Sequence, residues 1–475
     1  MFWFTIALLI FIFQIATILI LEFRRPAKSV AWILILFVLP VIGFVMYYFL
    51  AKEYRNRHKI RKRGIPPEEV RLTALRRSKL IHRPSDMTNR DYLHQERLFH
   101  LLHHFTDSPI TGCNKAEVLT DGQATFDAII AAIEKAEHHV HMEYYTIRHD
   151  EIGCRFKELL IRKAKQGIKV RLIYDGVGSY ELSSEYIREL EQAGVETECF
   201  LTPRIAFFDK RINYRNHRKI AIIDGTVGFI GGINIGDEYL GKNPKLGYWR
   251  DTHVRLEGDS VYYLQEVFLK DWWFTAREKL SDPEYLPLHH CSSDEQVQIV
   301  SSGPNSGLEE ILECVFAALA AAKKRIYIAT PYFIPDESLL MALRTAALSG
   351  VDVRIIIPGV SDSKLVLAAS LSYVEELMAA GVRVYRYGKG FMHAKVLLVD
   401  HLLASVGTAN MDQRSFYSNF EINALLFDPK PMKKIEEDFI EDLANSHELS
   451  LYEIRSRPLR SRFGQVVARM LSPLL

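Results

Sequence analysis

Two histidines and two lysines stand in the same short frame at two places in the chain. His217, Lys219 and Asp224 are spaced H-x-K-x-x-x-x-D, and His393, Lys395 and Asp400 repeat that order. Each copy runs on to a small-residue pair and an asparagine, Gly231-Gly232-Ile233-Asn234 and Gly407-Thr408-Ala409-Asn410. A single H-x-K is ordinarily a pair of exposed side chains on a strand. A duplicate that keeps the trailing asparagine points to one site assembled from two homologous halves. Two imidazoles and two ammonium groups make an anion pocket, and a phosphodiester suits it. A neutral imidazole, with a free pKa of about 6.5, attacks phosphorus, while a protonated one gives its proton to the departing alkoxide. Two histidines that share one proton titrate as a pair. Lys219, Lys395, Asn234 and Asn410 would hold the non-bridging oxygens, where charge must be stabilised in the transition state. A phosphorus–histidine intermediate conserves the energy of the diester bond, so one alcohol replaces another without a nucleotide.

The frame from His217 to Ile223 reads as a strand. A period of two puts His217 and Lys219 on one face and Asp224 on the other, and the same holds for His393, Lys395 and Asp400. Each aspartate is thus expected to support the strand end. An attacking imidazole needs an acceptor on its second nitrogen. Asp251, in Y-W-R-D, and Glu421, in N-F-E, follow the two motifs and are the candidates; the alternative for each is a solvated carboxylate. The chain has no P-loop, H-E-x-x-H, EF-hand or D-G-x-x-A-R cluster, so no metal, cofactor or nucleotide is expected.

Alternating elements position the motifs. Helices near 124–137, 154–166 and 184–193 interleave with strands near 139–146 and 167–174. A second set has helices near 309–323, 337–349 and 371–380 and strands near 325–330 and 350–357. This predicts an α/β fold of two repeats, spanning 111–285 (motif 217–234) and 300–475 (motif 393–410). A basic, partly helical linker is expected over 53–110. The stretch from Phe200 to Arg211, beside the first motif, reads either as a lipid-facing loop or as an ordinary surface loop. A length of 475 residues suits two domains and an appendage. The net charge of +2 speaks against a polyanion-seeking protein, nucleic-acid binders included. Cys113, Cys154, Cys199, Cys291 and Cys314 are irregularly spaced and read as thiols in a reducing compartment, with neither zinc nor a disulfide framework.

Residues 1–52 differ from the rest. Two apolar runs, at about 2–21 and 30–51, predict a two-helix transmembrane hairpin turning at Arg24-Arg25-Pro26, since about 20 helical residues match a bilayer core. Pro40 and Gly43 interrupt the second run. A cleaved signal peptide fits poorly, for want of a basic leader and a cleavage site. Seven basic residues between Lys52 and Arg63 place the bulk of the chain in the cytoplasm, against the weaker charges of the turn. The same cluster also suits anionic headgroups.

The two motifs are similar to the H-K-D signatures of the phospholipase D superfamily. Longer runs resemble bacterial cardiolipin synthases: Asn216 to Gly225 (N-H-R-K-I-A-I-I-D-G), Gly231 to Tyr239, Gly247 to His253 (G-Y-W-R-D-T-H), Thr330 to Asp336 (T-P-Y-F-I-P-D), Met392 to Lys395, and the closing L-S-P-L-L. The resemblance covers essentially the whole chain. It implies two repeats forming one pseudo-twofold catalytic unit behind a membrane hairpin. It also implies reversible phosphatidyl transfer between two phosphatidylglycerol molecules, giving cardiolipin and glycerol through a phosphatidyl-histidine. His217 would be the nucleophile and His393 the acid, with Asp224 and Asp400 counted in the catalytic signature. The implied setting is the bacterial cytoplasmic membrane, with an anionic bilayer as partner. The near symmetry of the motifs does not itself choose the nucleophile. A hydrolytic phospholipase D, a transferase using another alcohol, a nuclease of the superfamily and a non-catalytic scaffold are the rivals. Trp272-Trp273-Phe274 reads as a core-facing helix end or a membrane-dipping one. The tail from Arg455 to Leu475 reads as a membrane-surface helix or a docked terminal one.

Overall fold

A computed structural model describes residues 2–21, 26–50, 68–105, 107–201, 214–304 and 308–474. The Arg24-Arg25 pair, the basic cluster from Lys52 to Arg63, most of the Phe200–Arg211 stretch and Leu475 lie outside the described residues.

The apolar N-terminus forms α1 (Phe2–Leu21), α2 (Pro26–Val38) and α3 (Pro40–Leu50). The second run does not make one long helix. It folds back at Leu39–Pro40, so that the rings of Trp32 and Tyr47 lie 5.5 Å apart, where a straight helix would separate them by roughly 22 Å. Pro40 lacks the N–H that would continue α2. Gly43 then lets the returning helix close in, since a Cβ there would stand 3.0 Å from the Ile35 carbonyl oxygen. Among the described residues, no helix is long and apolar enough to cross a membrane. The expected pair of spans is corrected accordingly: the second run is a short helical hairpin.

The linker contributes α4 (Glu68–Arg77) and α5 (Glu96–His104). Phe99 and Leu102 of α5 are buried in the core of the second repeat. The first repeat follows as β1 (Ile110–Thr120), α6 (Asp121–Glu134), β2 (His139–Tyr144), α7 (Glu151–Lys165), β3 (Lys169–Asp175), α8 (Ser184–Gln192), β4 (Glu196–Phe200), β5 (Lys219–Ile223), β6 (Val227–Gly231), β7 (Tyr248–Arg250), β8 (Thr252–Gly258) and α9 (Ser260–Ala276). The second has β9 (Glu295–Ser302), α10 (Glu310–Ala321), β10 (Arg325–Ala329), β11 (Phe333–Ile334), α11 (Glu337–Leu348), β12 (Asp352–Pro358), α12 (Lys364–Ala379), β13 (Arg383–Tyr387) and β14 (Gly390–Met392). It continues with β15 (Val396–Val399), β16 (Leu403–Gly407), β17 (Met411–Asp412), α13 (Gln413–Tyr417), β18 (Glu421–Leu426), α14 (Pro429–Ala444), β19 (Ser446–Glu448), α15 (Leu451–Arg455) and α16 (Leu459–Leu471).

Fifteen of the strands form one sheet, ordered β19-β13-β12-β10-β15-β16-β18-β9-β1-β8-β6-β5-β2-β3-β4. From the antiparallel β9–β1 contact at its centre, the two halves repeat one plan outward. β8, β6, β5, β2, β3 and β4 answer to β18, β16, β15, β10, β12 and β13, and β19 extends one edge. The parallel triplets β2-β3-β4 and β10-β12-β13 have helical crossovers, as parallel pairing requires. The seam is therefore a strand pair inside a continuous sheet.

Helix α9 is apolar nearly all round and lies deep in the core, as such helices must. Trp272 and Phe274 are buried there, which places the Trp272–Phe274 cluster in the core. Cys113 and Cys291 are joined as a disulfide with Cα atoms 5.3 Å apart, correcting the expectation of unpaired thiols. They are 178 residues apart in sequence, brought together where β1 pairs with β9 and the segment before β9 packs on α9. The tail helix α16 docks on α12. Ala468 is buried, Arg469 donates to the Ser372 carbonyl oxygen (3.0 Å) and to Glu376 (2.8 Å), and its guanidinium lies over the Tyr373 ring. Leu459, Phe463, Val466 and Met470 remain exposed, so the tail is docked and also presents an apolar side.

Candidate active site

Both histidines stand just ahead of their strands, and each is stitched by backbone to the opposite repeat. His217 N–H donates to the Phe420 carbonyl oxygen (2.9 Å), and His393 N–H donates to that of Arg250 (2.7 Å). The second contact is part of a parallel ladder, with β14 beside β7 and Met392 opposite Arg250. The first is its counterpart, a bridge between Asn216 and Phe420. These crossed ladders decide the carboxylate partners. Glu421 lies 2.9–3.0 Å from Nδ1 of His217, and Asp251 lies 2.6 Å from Nδ1 of His393. Each imidazole is thus oriented by the other repeat. Gly232 leaves room for this, because a Cβ there would fall 2.1 Å from an Asp251 carboxylate oxygen.

Each lysine is held by the backbone of its own motif histidine. Lys219 Nζ donates to the His217 carbonyl oxygen (2.7 Å), and Lys395 Nζ to that of His393 (2.6 Å). Lys395 Nζ also stands 2.9 and 3.0 Å from the two ring nitrogens of His393. Nε2 of His217 has no such neighbour among the described residues. Both histidines line a cavity of about 690 Å³ that also takes in Asn234, Asn410, Tyr145, Trp249 and Leu474. The Tyr145 ring lies 4.9 Å from that of His217 and the Trp249 ring 5.0 Å from that of His393, centroid to centroid.

Asn234 is anchored, its side-chain oxygen accepting from Thr146 N–H (3.1 Å) and its amide donating to the Tyr239 hydroxyl (2.7 Å). Asn410 is buried with its side-chain oxygen unpartnered among the described residues. Asp224 and Asp400 do not line the cavity and bind backbone N–H groups instead. Asp224 accepts from the N–H groups of Glu137, His138 and His139 (2.8–2.9 Å). Asp400 accepts from those of Lys323, Lys324 and Arg325 (2.7–2.9 Å). Each ties the end of a motif strand to the start of its neighbour, β2 or β10.

Burial governs the charge state of the site's side chains. It drives His217 down to about 4, with Glu421 opposing and Lys219 assisting. It drives His393 to about 3, with Lys395 assisting and Asp251 opposing. Burial also lowers Lys219 to about 7 and Lys395 to about 8. It raises Asp251 and Glu421, but the neighbouring histidines and lysines outweigh it and hold both below the usual carboxylate range. At neutral pH the imidazoles are therefore uncharged and the carboxylates ionised. An anion entering the site raises the histidine and lysine values and draws a proton in.

The pH dependence has a definite sign. As pH rises through 7–8 the lysines lose the charge that attracts a diester; as pH falls through about 4, His217 is protonated and cannot attack. Because kcat/KM reports the free enzyme, whose His393 and lysines must carry protons in the reacting state, it is expected to fall with rising pH and most steeply above pH 8, by at least about tenfold per pH unit, while kcat holds to higher pH. Initial rates across pH 5–10 test this, and a flat kcat/KM from pH 6 to 9 would exclude it.

Tyr145, Trp249, Arg215 and Arg414 also line the cavity and lie outside the repeated frame. The sequence marks for Arg215 and Arg414 were adjacency alone, two residues before His217 and four after Asn410. Among the described residues, no cluster of histidine, cysteine, aspartate or glutamate is arranged to hold a metal.

Paired H-K-D frames whose two histidines meet in one cavity, on a twofold-repeated α/β sheet, define a phospholipase D-like phosphodiester enzyme. Residues 129–272 and 315–443 match the family model described as the cardiolipin synthase, phospholipase D-like domain, and residues 4–52 match one described as phospholipase D-nuclease N-terminal. The chain is 45% identical over 463 residues to a cardiolipin synthase of Geobacillus kaustophilus (97% of this chain, 91% of that one). It is 42% identical over 469 residues to the major cardiolipin synthase ClsA of Bacillus subtilis (97% and 96%). The phosphatidylserine synthase of Haemophilus influenzae shares the fold, with a TM-score of 0.63 at 17% identity over 80% of this chain and all of that one. The chain belongs to the cardiolipin synthase family, and is a phosphatidyltransferase of the phospholipase D superfamily.

Proposed function

We propose that the protein joins two phosphatidylglycerol molecules into cardiolipin and glycerol, with His217 as nucleophile. The observation that carries this is the meeting of both histidines in one cavity, each with its own carboxylate and lysine. His217 Nε2 attacks phosphorus, the bond to the headgroup glycerol breaks, and His393 supplies the proton that glycerol takes away. A phosphatidyl-histidine remains, joined through P–N. The terminal hydroxyl of a second phosphatidylglycerol then gives its proton to His393 and attacks phosphorus, which releases His217. Glu421 and Asp251 orient the rings and offset the imidazolium charge. Lys219, Lys395, Asn234 and Asn410 hold the non-bridging oxygens. The choice of His217 is supported by its free Nε2, since Lys395 lies against both ring nitrogens of His393.

The reading extends to the membrane. α1–α3 expose Leu9, Phe13, Ile20, Phe37 and Val41, and we assign them to embedding the chain in the bacterial cytoplasmic membrane, with the catalytic part on the cytoplasmic side. Leu474 packs against the Ile18–Trp32–Leu36–Tyr47 cluster of these helices and also lines the cavity. It thus connects the apolar helices to the mouth through which a lipid would enter.

Purified protein given phosphatidylglycerol alone, without nucleotide or added metal, is expected to yield cardiolipin and an equal amount of glycerol. Phosphatidic acid as the main product would make the protein a hydrolase, and no turnover in a folded sample would favour a scaffold.

A further inference from the structure

We infer that Arg215 and Arg414, one from each repeat, form a second phosphate position in the cavity, which holds the phosphodiester of the accepting lipid. The inference rests on the function proposed above and deepens it.

Arg215 is 5% exposed. Its described side-chain hydrogen bond goes to the adjacent carbonyl oxygen of Tyr214 (2.9 Å). A guanidinium has five donors, and burying one costs several kcal/mol unless it is paired. Asp175 favours the Arg215 charge from a distance and makes its own hydrogen bonds to the N–H groups of Val177, Gly178 and Asn216 (2.8–3.0 Å). No ion pair within 4 Å joins Arg215 to a described residue. Burial lowers Arg215, Asp175 opposes this, and the Arg414 guanidinium is close enough to add to the lowering. Arg414 is half-buried in the cavity wall, and its side chain has no hydrogen bond to a described residue. Two guanidinium groups lining one cavity repel each other and are both satisfied by an anion, which guanidinium forks bind well.

The pair sits beside the reacting position. Tyr145 packs on His217 and feels the charges of both arginines. By contrast, the cavity's remaining arginine, Arg148, is spoken for by Glu181 (2.8 Å) and Glu238 (3.7 Å). Cardiolipin carries two phosphates joined through a single glycerol. The donor's phosphorus lies between the histidines, so the acceptor's phosphate must lie one glycerol away in the same cavity. A cationic site there favours an acceptor with its own phosphodiester over water or a neutral alcohol.

The test compares two acceptors of the same phosphatidyl-enzyme. The full chain in phosphatidylglycerol vesicles is supplied with radiolabelled glycerol, and cardiolipin formation and exchange of label into phosphatidylglycerol are measured together. Glycerol has no phosphate, so exchange reports the donor steps alone. Arg414→Gln is expected to lower cardiolipin formation at least tenfold and exchange less than threefold, with Arg414→Lys between wild type and Arg414→Gln. An equal fall in both rates, or no change in either, overturns the second site. A wild-type protein that exchanges label but makes no cardiolipin overturns the parent reading, and this inference with it.

Discussion

Replacing His217 with alanine is expected to lower cardiolipin formation by about 10⁴-fold or more, because no P–N bond can form. Replacing His393 is expected to cost about 10²–10⁴-fold, the usual worth of a positioned general acid. Rate alone does not separate these roles, and the leaving group does. A phosphatidyl ester of para-nitrophenol departs without needing a proton. With that substrate His393→Ala should recover a burst of nitrophenolate, matched by one phosphatidyl group bound per enzyme, while His217→Ala stays silent. The reverse pattern would make His393 the nucleophile. Full activity in either variant would end the two-histidine mechanism. The free Nε2 of His217 and the ammonium lying against His393 lead to the first outcome.

The duplicated frame made the repeat architecture legible, and it singled out the two histidines that line one cavity. Strand parity separated the histidines and lysines from Asp224 and Asp400, and the backbone N–H groups bound by those aspartates give the physical reason. Other features depended on tertiary pairing. Nothing local in Tyr248–Asp251 or Asn419–Glu421 says which histidine each acid serves, because the answer lies in the crossed β14–β7 ladder and the Asn216–Phe420 bridge. Hydropathy over 30–51 read as one span because it weighs side chains and not chain direction; the reversal at Pro40 and the close approach at Gly43 decide the path. Cys113 and Cys291 meet through tertiary pairing, where β1 and β9 are neighbours. Arg215 and Arg414 lie outside the repeated frame, and it is their meeting in one cavity that distinguishes them.

The exchange of carboxylates between repeats predicts which lesion resembles which. Glu421→Gln keeps the shape of the side chain but withdraws the charge that orients His217 and raises its basicity. Asp251→Asn does the same to His393. Loss of such a partner elsewhere costs about 10⁴-fold in an acyl-transfer triad and about 10–100-fold behind a metal-bound histidine, so a fall of about 10²–10⁴-fold is expected for each. A merely structural role would lower all substrates alike. If pairing crosses the pseudo-twofold, Asp251→Asn should be rescued by the nitrophenyl ester as His393→Ala is, although Asp251 belongs to the first repeat. Glu421→Gln, in the second repeat, should lose the burst as His217→Ala does. Rescue of Glu421→Gln with failure of Asp251→Asn would mean that each acid serves its own repeat, and equal loss on both substrates would reduce both acids to supports of the fold. Crossed rescue would also tie catalysis to the contact between the halves: neither repeat alone holds an oriented histidine, so the two must close on each other before either half can act.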